Sequence, residues 1–190
     1  SADGGQFVNH RIMAAGHPRI SFELDLFTTL QAHHDEDADY VQRKGHCLTN
    51  RPYLRAIGSA MALDRALSLF SSPTLGTEGP FPEFYFLDCH SCHRRIYDSQ
   101  NFNQTVADNP ARPIPVGMPP FNDENMIMLS AAARIVAPAQ AARFEAESKA
   151  FHGAFARDRN SAISAAARLR ATANALAAAF QSASFGRDQS

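Results

Sequence analysis

Cys89 and Cys92 stand three positions apart in the stretch FLDCHSCHRRI, and His93 follows the second thiol directly. Three chemistries use a Cys-x-x-Cys pair. They are covalent attachment of a c-type haem with the adjoining histidine on the iron, a tetrahedral zinc site, and a reversible dithiol couple. Structural zinc takes four ligands, usually as two close pairs. His46 and Cys47 are the candidates for a second pair, but adjacent residues seldom both ligate one tetrahedral ion. Dithiol motifs of the thioredoxin kind sit at a helix start inside a β-α-β pattern, and no such pattern surrounds Cys89. The spacing therefore reads as attachment of one haem c. Cys89 and Cys92 form the thioethers, and His93 is the proximal iron ligand.

The opposite face of the iron needs a second ligand or is left open. His10, His17, His33, His34, His46, His90, His152 and Met118 are the candidates. His90 lies between the two thiols, whose geometry directs it away. Met118, in GMPPFNDENMIML, resembles the methionine-ligand segment of class I cytochromes c. The span from His93 to Met118 is shorter than those proteins use to wrap the haem. Cys47 reads as a buried free thiol.

These residues must be carried by a chain of 190 residues, enough for one domain or a domain with an appendage. A formal net charge of -1 argues against a nucleic-acid surface. Of 18 basic residues only Lys44 and Lys149 are lysines, and arginine forks suit carboxylates such as haem propionates. No apolar run approaches the roughly 20 residues of a membrane span. No signal peptide is visible, and SADGGQFVNH reads as a processed or cut terminus. Three cysteines exclude a disulfide framework.

Helical patterning dominates, so the expected fold is mostly α. Ile20, Leu24, Phe27 and Leu30 form one stripe. A second helix runs from a cap at Asn50 to SSPTLGTEGP, with Leu54, Ile57, Met61, Leu63, Leu67 and Leu69 as its apolar set. The polar stretch HDEDADYVQRKGHCLTN reads as a surface loop, and the proline-rich stretch before Met118 as irregular. Asn122 or Asp123 caps ENMIMLSAAARIV, Pro138 opens the next helix, and Asn160 or Ser161 caps the last. Phe144, Phe151 and Phe155 on one helix face Ile163, Leu169, Leu176 and Phe180 on the other, as an antiparallel pair. This divides the chain into a helical haem-binding core, 1–136, and a C-terminal helical hairpin, 137–190, packing on it.

The segment VNHRIMAAGHPRISFE resembles one found in multihaem c-type cytochromes, the group of hydroxylamine oxidoreductases and cytochrome c-554-like proteins. Their pattern is close to Val-Asn-His-x-Leu-Ile-Ala-Ala-Gly-His-Pro-Arg-Leu-x-Phe-Glu. LRAIGSAMALDRALSLF and FPEFYFLDCHSCH extend the similarity, which covers about Val8 to Val136. The resemblance implies a bis-histidine haem for electron transfer, with His17 as the distal ligand opposite His93. It also implies that His10 serves a neighbouring haem whose attachment motif would lie upstream. The chain departs from the family in lacking tryptophan.

The expected function is that of a c-type cytochrome, or a domain of one, rather than an enzyme. Redox proteins or neighbouring haem domains are its expected partners, and a bacterial periplasmic or extracellular location suits haem c. A haem-based sensor binding CO or NO, or an accessory domain of a multihaem redox enzyme, is the alternative.

Overall fold

A computed structural model describes residues 8–17, 51–73, 82–89 and 118–183, with isolated positions 27, 30, 31, 39, 42, 43 and 115. The fold is mostly α. In chain order the helices are α1 (His10–Ala14), α2 (Arg51–Phe70), α3 (Glu124–Val136), α4 (Pro138–Phe155) and α5 (Arg159–Ser182), with a 3-10 turn at Phe84–Phe86. Among the described residues there is no strand, only an isolated antiparallel bridge between Leu87 and Phe121.

Local chemistry explains the helix limits. Asn9 starts α1 by accepting the Ile12 N–H at 2.9 Å. Pro138 opens α4 at a position where its missing N–H costs nothing, and Ala137 alone separates α3 from α4. The cap of α5 is Asp158, whose side chain accepts the Ser161 N–H at 2.9 Å. Asn160 and Ser161, expected to cap, lie inside the helix instead. Asn50 falls outside the described residues.

The long helices close a ring of contacts: α5 packs on α2 and α4, and α3 packs on the same two. Only residues 156–158 separate α4 from α5, and so short a link makes them antiparallel neighbours. Phe144, Phe151, Phe155, Leu169, Leu176 and Phe180 are buried as their spacing predicts, while Ile163 is only partly covered. The buried face of α2 differs from expectation. Ala56, Ala60, Leu63, Leu67 and Phe70 are inside, whereas Met61 is 66% exposed and Leu54 also faces out. Two alanines win the core face because α5 presents Ala162, Ala165, Ala166 and Ala173, and small residues permit a close approach of the axes. Leu30, expected on a buried stripe, is exposed.

One hydrophobic core runs from Ala56 to Phe180 and continues across Val136 and Ala137. It ends in a knot of phenylalanines that carries the next feature. Phe70 meets Phe86, Phe121 and Phe151 edge-on at 5.5, 5.9 and 5.6 Å, and Phe121 meets Phe151 at 4.9 Å. Each such pair adds about 0.5–1.5 kcal/mol beyond the burial of its area.

Candidate functional site

The knot fixes the segment that ends in Cys89. Phe86 is buried at the close of the 3-10 turn, and its carbonyl accepts the Asn122 N–H at 2.8 Å. Asp88 N–H donates to the Pro120 carbonyl at 2.9 Å. These two bonds flank the Leu87–Phe121 bridge, so residues 86–88 and 120–122 form a short antiparallel ladder. Cys89 follows at once. It is a half-buried free thiol whose Sγ lies 4.0 Å from the Leu87 carbonyl. A thiol held at the end of an anchored segment, with part of its surface open, fits a point of thioether attachment. Cys92 and His93 lie outside the described residues, as do His33, His34, His46, Cys47 and His90.

Met118 stands two residues before Pro120, whose carbonyl accepts the Asp88 N–H. Met118 is partly buried against the hydrophobic core, with its N–H on the Pro115 carbonyl at 3.1 Å.

Helix α1 is docked on the same segment from the other side. Glu83, 8% exposed, uses one carboxylate oxygen to accept the His10 N–H at 2.8 Å and the other to accept the Tyr85 N–H at 2.7 Å. The His10 ring stands edge-on to Phe84 at 4.9 Å. Two stretches that share no local sequence, VNH and PEF, thus meet through one carboxylate.

His17 follows the C-terminal turn of α1. Gly16 has φ +97°, its N–H donates to Met13, and the His17 N–H donates to Ile12 at 3.2 Å. This is a Schellman stop, in which the residue after the helix takes the left-handed conformation that favours glycine. Among the described residues beyond its chain neighbours, nothing stands within 4 Å of where a Cβ on Gly16 would sit, so its left-handed backbone explains the glycine. His17 itself is exposed. The backbone therefore presents its ring to the outside of a rigid corner.

Sequence reasoning weighed His152 only as one possible iron ligand and missed its structural place. It is 2% exposed, with Nε2 3.2 Å from Asp123 Oδ2, and its Nδ1 has no hydrogen-bond partner among the described residues. Its position on the stripe of Phe144, Phe151 and Phe155 was the available signal. Among the described residues, no cluster of three or more His, Cys, Asp or Glu could hold a metal ion.

Comparison of the chain with protein-family models, curated proteins and solved structures finds no match.

Proposed function

We propose that this chain is a c-type cytochrome, or a domain of one, that carries a single haem c through Cys89 and Cys92 and works in electron transfer. The carrying observation is the Cys89 thiol, unpaired and half-open at the end of a ladder anchored in the core, with Cys92 and His93 three and four positions on. His93 is the proximal ligand and His17 the distal one. The haem, when attached, supplies a one-electron couple that the protein tunes by ligation and burial. The chain's own part is positional. Glu83 holds α1 beside the Cys89 segment, and the Gly16 stop sets where His17 begins.

Met118 is a second reading for the distal ligand, favoured by its place two residues before Pro120, which is bonded to Asp88 next to Cys89. A pyridine haemochrome spectrum tests attachment. A c-type spectrum with one haem per chain, retained on acid–acetone extraction, is the expected result, and extractable or absent haem refutes it. Redox proteins or adjoining haem domains are the proposed partners, in the periplasm or outside the cell. No helix among the described residues is long and apolar enough to cross a membrane.

A further inference from the structure

The geometry points to His152 as a positioning residue for the Cys89 segment. From the core of the bundle it holds, through Asp123, the stretch 120–122 that is bonded to that segment. Its functional meaning rests on the reading of Cys89 as an attachment thiol.

Asp123 occupies the N-cap position of α3, where an aspartate ordinarily accepts an N–H from its own helix. Here its side chain makes no cap hydrogen bond. Asn122 Oδ1 takes the Glu124 N–H instead, at 3.4 Å, and the Asp123 carboxylate turns inward to His152 Nε2 at 3.2 Å. Both side chains are more than nine-tenths buried, so water competes little for this bond.

The grip has two adjacent jaws on α4. Phe151 packs its ring against Phe121 at 4.9 Å, and His152 takes Asp123 two positions on. Phe121 is the residue bridged to Leu87, and Asn122 and Pro120 supply the two ladder bonds. From the anchored carboxylate to the bridge is two residues, and from the bridge to the Cys89 thiol two more. A phenylalanine at 152 would fill an apolar core with no polar atom to satisfy. The imidazole is instead buried with Nδ1 unpartnered among the described residues, and Asp123 is the partner that its ring serves.

Residue-resolved amide exchange on the whole chain tests the inference, with thiol labelling of Cys89 as a second readout. His152→Phe removes the donor and keeps a ring. His152→Gln keeps an N–H donor, and Asp123→Asn removes the charge while preserving shape. His152→Phe is expected to speed exchange at the Asp88 and Asn122 amides about tenfold more than at Leu169 or Leu176 in α5, as loss of a buried polar contact to a carboxylate implies. Cys89 labelling should rise with it, and covalent haem yield should fall. His152→Gln should restore most of the protection, and Asp123→Asn should give the same local pattern if the phenylalanine variant fails to fold. Uniform acceleration throughout the bundle, or no change at Asp88 and Asn122, overturns the inference. If the local effect appears in a chain that never binds haem covalently, the anchor stands and the cytochrome reading falls.

Discussion

Glu83 accepts the backbone N–H of His10 at 2.8 Å, tying α1 to a segment 73 positions along the chain. The carboxylate is nearly buried and satisfies two N–H donors at once. Glu83→Ala strands both donors, a loss of about 1–3 kcal/mol. The expected outcome is faster amide exchange at His10 and Tyr85 with little change in α4 and α5. Equal protection in the variant would show that α1 is held by other contacts.

Replacing Cys89 and Cys92 together with alanine should abolish covalent haem while leaving the helical circular dichroism of α2–α5 intact. Cys89 is only half-buried and stands outside the main hydrophobic core, so no large packing loss accompanies its change. Collapse of the helical signal in the absence of haem would instead make the cofactor part of the folding core.

His17→Ala should open the iron, giving a high-spin ferrous spectrum and rapid CO binding, while Met118→Ala should leave the optical spectrum of the haem in place. The reverse pattern would assign the ligand to Met118. A wild-type chain that takes up CO or NO unaided would favour the sensor alternative.

Phe121 is 1% exposed and touches Phe70, Phe86, Phe151 and Phe155. Phe121→Ala should lower the unfolding free energy by about 3–5 kcal/mol, seen as a drop in the urea midpoint. It should also release the ladder, because the bridge to Leu87 runs through this residue. A loss under about 1 kcal/mol would show that the knot relaxes around the gap.

Asp64 on α2 is bound by Arg170 Nε at 3.0 Å and by Asn174 Nδ2 at 3.0 Å, both from α5. Burial alone would raise its pKa. The hydrogen bonds from Arg170 and Asn174, with the charges of Arg170 and Arg65, outweigh it and hold the carboxyl below its ordinary 3.8. A pKa depressed in the folded state contributes stability above the unfolded value and loses it as pH falls through the folded one. Asp64→Asn should therefore flatten the acid limb of stability below about pH 4, and the difference from wild type should shrink in high salt because the pair is partly exposed. An unchanged acid limb would mean that the pair adds nothing to pH dependence.

The features legible in the chain alone are those set by neighbours in sequence. The Cys-x-x-Cys-His motif is read from five consecutive residues, 89–93. The α3 limits follow from a polar pair at Asn122–Asp123 and a proline at 138, and the mostly α character follows from the apolar stripes on α4 and α5. What the tertiary structure decided are the pairings across long intervals. Leu54 and Met61 look like core by hydrophobicity, yet Ala56 and Ala60 take the buried face because the alanines of α5 admit a close approach. Asp123 looks like a cap, yet its carboxylate leaves the helix for a histidine whose position is known only once α4 is packed on α3. A local sequence states which hydrogen bonds a residue is able to make. Packing decides which of them survive burial, since a buried polar group without a partner costs more than the bond it gave up.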